Sequence, residues 1–177
     1  MDPAAPFDPL REFHGQANCI AEALKARREK LAVADGATGG LIMASLLTVP
    51  GALKFFVGGG VVYSFRARDV LFDQPRDAYE GIRGPCPEYA ELQARSIRDR
   101  LHAEWGLAES GSVGGSKHPG GAPSGLSVVA LAGPDNFIAH TVLETASDDR
   151  IANMYAFTRH ALDFAQSVLA PDEGMSD

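Results

Sequence analysis

Residues 31–47 read Leu-Ala-Val-Ala-Asp-Gly-Ala-Thr-Gly-Gly-Leu-Ile-Met-Ala-Ser-Leu-Leu, and they decide the fold. A short apolar run, Leu31 to Ala34, enters a glycine-rich turn that opens into a second apolar run of helical character, Leu41 to Leu47. Strand, glycine turn and helix in that order aim backbone N–H groups and the positive end of a helix at one spot. Such a spot favours a phosphate or carboxylate; the plainer reading is that the glycines let the turn pack closely.

Working outward, Leu10, Phe13, Ala17, Ile20 and Leu24 recur at spacings of three and four, which predicts an amphipathic helix with a basic end from Lys25 to Lys30. After the central turn the helix stops near Pro50-Gly51, and Leu53 to Tyr63 reads as a strand interrupted by Gly58-Gly59-Gly60. Ser64 caps a short helix to Phe72, and Asp73 to Pro87 reads as a connecting loop. A helix is expected from Glu88 to Trp105, with Tyr89, Gln93, Ile97, Leu101 and Trp105 on one stripe. A strand is expected near Leu107. Gly111 to Gly125 forms a second glycine-rich loop, and Leu126–Ala132 pairs with Phe137–Glu144 as a hairpin turning at residues 133–136. Asp148 or Asp149 caps a last helix that runs to about Leu169.

The expected fold class is α/β, a single-domain three-layer α/β/α sandwich with a mixed central sheet. Residues 1–7 read as a flexible N-terminus, 8–169 as the domain, and 170–177 as a disordered tail. The chain has 177 residues and a formal net charge of -7, which argues against nucleic-acid and membrane-surface partners. No apolar run approaches the roughly 20 residues that span a bilayer, no signal-peptide pattern opens the chain, and a cytoplasmic location is expected. Two cysteines, Cys19 and Cys86, imply no disulfide framework. Five scattered histidines give no metal-ligand spacing, so neither metal nor cofactor is expected. The loop at Lys117 fails the P-loop pattern, because His118 follows the lysine.

The motifs and their order resemble the C-terminal domain of the CinA competence/damage-inducible family, which includes the nicotinamide-nucleotide amidases. The family's Ala-Glu-Ser-x-Thr-Gly-Gly motif corresponds to Ala34 to Gly40. Its Val-Pro-Gly turn corresponds to Val49-Pro50-Gly51, its Tyr-Ser to Tyr63-Ser64, its glycine loop to Ser110–Gly114, and its terminal Asp-Arg to Asp149-Arg150. The resemblance spans roughly Phe13 to Leu169. It implies a homo-oligomer, most simply a dimer, and deamidation of nicotinamide mononucleotide by a serine–lysine pair.

This chain departs from that pattern at the reacting positions. Gly36 stands where the family has its nucleophilic serine, Arg68 where it has lysine, and Met154 where it has an arginine near substrate. Glycine offers no nucleophile, and an arginine stays protonated. The resemblance therefore implies a scaffold that binds a nucleotide or other anionic small molecule without that chemistry. The expected ligand contacts are Asp35, Thr38, Gly39, Gly40, Tyr63, Arg68, Gly111 and Lys117. The alternative is an amide hydrolase whose nucleophile has moved, with Thr38, Tyr63 and His118 as candidates. On the resemblance alone, Gly36→Ser with Arg68→Lys is expected to restore some deamidation.

Overall fold

The computed structural model describes residues 8–171 apart from Asp73 and Pro75. The expected loose start at 1–7 and residues 172–177 of the expected tail lie outside the described residues. Five strands and five α-helices follow one another as α1 (Pro9–Arg27), β1 (Leu31–Asp35), α2 (Leu41–Leu47), β2 (Phe56–Val61), α3 (Phe65–Phe72), α4 (Pro87–Arg100), β3 (Trp105–Ser112), β4 (Leu126–Ala132), β5 (Ile138–Glu144) and α5 (Arg150–Leu169). The sheet order is β2-β1-β3-β4-β5. β1 runs parallel to both β2 and β3, while β3–β4 and β4–β5 are antiparallel. The mixed sheet and the closing hairpin match the expectation from the sequence.

Strand alternation builds two unlike faces. Leu31 and Val33 of β1, Leu107 of β3, and Val129 and Leu131 of β4 join Phe13, Ile20, Leu24, Leu46 and Leu162 in a core beneath α1, α2 and α5. The opposite face carries Ala32, Ala34, Ala108, Ala130 and Ala132, and receives Ala90, Ala94 and Ile97 of α4. A face of small side chains lets the helix come close: a Cβ on Gly106 would lie 2.0 Å from the Ala94 carbonyl oxygen. Large side chains hold the first layer off the sheet, and small ones draw the second in.

Caps set the helix ends. Asp8 accepts from the N–H groups of Leu10 and Arg11 to start α1, and Arg28 ends it in the left-handed conformation at φ 58°. Ser64 accepts from Ala67 N–H at 3.1 Å, as its position predicts. The triple glycine of β2 sits at a register shift against β1, where Ala32 pairs with Gly58 directly after Leu31 pairs with Phe56.

Three boundaries differ from the sequence reading. β2 is shorter than Leu53–Tyr63, because Ala52–Lys54 forms a 3-10 turn and leaves Leu53 exposed. The 73–87 connection contains a 3-10 turn at Arg76–Tyr79. α4 ends at Arg100, and His102 adopts φ 52°, which breaks the helix before Trp105. Trp105 opens β3 instead, with its indole N–H donating to Glu29 at 2.7 Å and its ring edge-on to Phe137.

Candidate functional site

The chain leaves β1, crosses to β2 on one side, and returns across β1 to β3 on the other. That reversal opens a crevice at the carboxyl ends of β1 and β3, the usual ligand position in open α/β sheets. A cleft of about 900 Å³ occupies it, within the range of small-molecule sites. Gly36 and Ala37 line one side, Tyr63 to Asp69 a second, Tyr79 to Tyr89 a third, and Ser110 to Gly120 the fourth, with Arg150 at the edge.

The N–H groups of residues 37–40 in the turn are engaged by the protein itself. Asp35, with no exposed surface, accepts from the Thr38 hydroxyl and from the N–H groups of Gly40, Ile42 and Met43. Glu109, equally buried, accepts from Thr38 N–H at 3.2 Å, from Ala37 N–H, and from the Ser127 hydroxyl at 2.7 Å. Gly39 N–H bonds back to the Gly36 carbonyl. The anion that this glycine turn and helix start attract is supplied from within, as two carboxylates.

Burial pushes both acids upward. Desolvation raises Asp35 above its ordinary value, against the lowering effect of its hydrogen bonds. Glu109 rises to about 7, first through burial and then through the neighbouring charge of Asp35. The sequence reading missed Glu109. An acid in the run Leu107-Ala108-Glu109-Ser110 announces nothing locally, because its partners are 71 and 18 residues away.

Gly36 is tied to the same acid. A Cβ there would lie 2.3 Å from the Glu109 carbonyl oxygen and 3.2 Å from its carboxylate Oε2. The turn is closed down onto β3 to a distance that only glycine allows.

Of the sequence-derived candidates, the structure brings Gly36, Tyr63, Arg68, Gly111, Lys117 and His118 together around the cleft. Asp35 and Thr38 are turned into the interior, and Gly39 and Gly40 are not among the cleft-lining residues. The Arg68 guanidinium donates to Asp69 at 2.9 Å and stacks 3.9 Å over the Tyr79 ring. His118 accepts from Gly120 N–H at 3.0 Å, and burial lowers its pKa. The Thr38 hydroxyl is donated to Asp35, so no Thr38–His118 relay is assembled.

Arg83 and Arg150 were not expected at the site. Arg150 donates to the Gly114 carbonyl at 3.0 Å and to the Tyr63 hydroxyl at 3.5 Å, linking two walls. Asp148, expected as a possible helix cap, pins the glycine loop by accepting from Gly115 N–H at 3.0 Å and Ser124 at 2.6 Å. Asp149 is the cap, accepting from Ile151 and Ala152. Asn153 donates to the Val113 carbonyl at 2.9 Å. Gly114, at φ 93°, would carry a Cβ only 2.8 Å from Asp148, so the loop is strapped to the start of α5. Among the described residues no group of three His, Cys, Asp or Glu side chains could hold a metal ion. No helix among them is long and apolar enough to cross a membrane.

Comparison with known proteins agrees with this architecture. Residues 14–169 match the CinA C-terminal domain family. A CinA-like protein from Prochlorococcus marinus subsp. pastoris is 31% identical over 121 residues, covering 68% of this chain. One from Myxococcus xanthus is 35% identical over 119 residues, covering 65% of this chain. The chain spans 28% and 27% of those relatives' own lengths. The crystal structure of a competence/damage inducible protein from Agrobacterium tumefaciens superposes with TM-score 0.81 at 20% identity, over 89% of this chain and 95% of that one. A CinA superfamily protein from Klebsiella pneumoniae superposes with TM-score 0.80 at 22% identity, over 89% of this chain and 98% of that one.

Proposed function

The chain belongs to the family of CinA C-terminal domains, and on that premise we propose that its cleft binds a nucleotide-like or other anionic small molecule without serine–lysine amide hydrolysis. The observation that carries the reading is charge. In a chain of net charge -7, the cleft is bordered by Arg68, Arg83, Lys117 and Arg150, with His118 beside them, against Asp69 and the buried Glu109. Tyr79 and Tyr89 supply aromatic surface in the same wall. Cationic groups around a concave, partly apolar cleft recognise a phosphate or carboxylate attached to a ring.

Gly36 supports the non-catalytic half of the proposal. It offers no nucleophile, and its contact with Glu109 leaves no room for one. The moved-nucleophile alternative lacks support at Thr38, whose hydroxyl is buried and donated to Asp35.

Thermal-shift and calorimetric titration with adenosine monophosphate, nicotinamide mononucleotide and a neutral nucleoside tests the reading. The phosphorylated compounds should bind and the nucleoside should not. Replacing both Lys117 and Arg150 by alanine should weaken binding at least about tenfold, since a charged hydrogen bond is worth about 1.5–3 kcal/mol. No binding by any anion overturns the proposal.

The proposed partner is a second copy of the chain. Its support is the outer edge of β2, which no strand among the described residues pairs, together with exposed Leu53, Val57 and Val61, and with Phe65 and Val70 of α3.

A further inference from the structure

Asp35 ends β1, Glu109 lies on the neighbouring parallel strand β3 one residue past its last pairing with β1, and a single residue joins them. The Thr38 hydroxyl donates to Asp35, and the Thr38 N–H donates to Glu109. Neither carboxylate has any exposed surface, and the described structure gives neither one a cationic partner. Two like charges buried side by side without a counter-ion are costly, so a proton on one of them relieves both desolvation and repulsion.

Among the described residues, the groups that hydrogen-bond the pair are uncharged, and the charged groups near it are those of the cleft that Glu109 borders: Arg68, Asp69, Arg83, Lys117, His118 and Arg150. β4 contributes the Ser127 hydroxyl, α2 contributes only backbone N–H groups, and the ring of Phe157 on α5 meets the same small space at Gly111. The roof over Glu109 is Gly36 and Ala37, and those two residues are also a side of the cleft. Glu109 itself borders the cleft beside them, so a negative charge placed against that side acts on the pair.

We infer that anion binding in the cleft is coupled to proton uptake by the Asp35–Glu109 pair, so that ligand is held more tightly in mildly acid than in mildly alkaline solution. The coupling rests on the anionic-ligand reading above and adds its regulation. An incoming anion disfavours the doubly ionised pair, and by linkage the protonated pair favours the anion. The rise of Glu109 to about 7 sets the pH range in which this is felt. One rival proton acceptor is present: His118 in the cleft would also gain a proton on meeting an anion.

The test uses adenosine 5′-sulfate, whose charge does not change across the range, in calorimetry with buffers of different ionisation heat. Wild-type protein should take up about half a proton per ligand near neutrality, and Kd should rise about tenfold between about pH 5.5 and pH 8.5, as expected if the ligand raises the pair's pKa by about one. Glu109→Gln should abolish both effects, whereas His118→Asn should retain them. Infrared spectra of the ligand-free wild type should show a protonated carboxyl band at neutral pH, a readout that needs no variant to fold. Binding without proton uptake, uptake lost in His118→Asn alone, or absence of that band overturns the coupling and leaves the anionic cleft standing. No binding at any pH overturns both.

Discussion

Replacing Glu109 by glutamine should change how stability depends on pH. The folded-state pKa of Glu109 is about 7 against an ordinary 4.5, so the native protein holds a proton that the unfolded chain has released. Stability from this group is fully present below about pH 4.5, falls as pH rises, and is lost once pH passes about 7. At about 1.4 kcal/mol per pKa unit the total is about 3 kcal/mol. Asp35 is shifted in the same direction and adds to the slope with the same sign. Glutamine keeps an oxygen to accept from Ala37 and Thr38 and carries an amide that donates to Ser127, but it cannot ionise. Urea denaturation at steps from about pH 4.5 to pH 9 should show the variant gaining on the wild type by about 3 kcal/mol across the range, which is a large share of a domain's stability. Parallel profiles for the two proteins would refute the buried, uncompensated acid.

Gly36→Ala should destabilise the protein by about 1–3 kcal/mol, read as a lower urea midpoint, because its methyl group meets the Glu109 carbonyl; an unchanged midpoint removes the close-contact argument. The unmodified protein should release no ammonia from nicotinamide mononucleotide above background. Gly36→Ser with Arg68→Lys should stay inactive too, contrary to the expectation from resemblance alone, because the serine Cβ meets the same obstruction. Turnover by the unmodified protein that is abolished by His118→Ala would establish the moved-nucleophile alternative. Sedimentation at micromolar concentration should give a dimer, and Val57→Lys on the open edge of β2 should shift it to monomer; a wild type that is monomeric throughout sinks the proposed partner.

Much of the architecture could be read from the chain because it rests on local chemistry. The hairpin of β4 and β5, its turn at 133–136 and the caps at Ser64 and at Asp148 or Asp149 each depend on residues a few positions apart. Trp105 was misassigned to a helix because the four-residue stripe from Tyr89 runs on past the helix end; the left-handed backbone at His102 stops it, and nothing in a histidine announces that conformation. The glycine turn reads from the sequence as a place for an anion or for close packing, and in the structure its N–H groups meet the carboxyl groups of Asp35 and Glu109. Whether those N–H groups face outward or onto Glu109 depends on where β3 lies relative to β1, a contact spanning 71 residues. Arg150 was hidden for the same kind of reason. It reads as the first residue of a capped helix, and it reaches the cleft only because Asp148 and Asn153 bring the glycine loop to that helix end.

The unlike faces of the sheet carry a consequence for the cleft. Where leucines and valines fill a layer, a lost methylene can be made good by neighbours that shift. Where backbone meets backbone, as at Gly106 against the Ala94 carbonyl, the contact behaves as a fixed stop that sets how near α4 stands to the sheet. Tyr89 of α4 forms part of the cleft wall, about one and a half helical turns from that stop. The aperture offered to a ligand is thus gauged from beneath, by a residue no ligand touches. Selection for a wider or narrower aperture would act on Gly106 and Ala94 as surely as on the arginines at the rim.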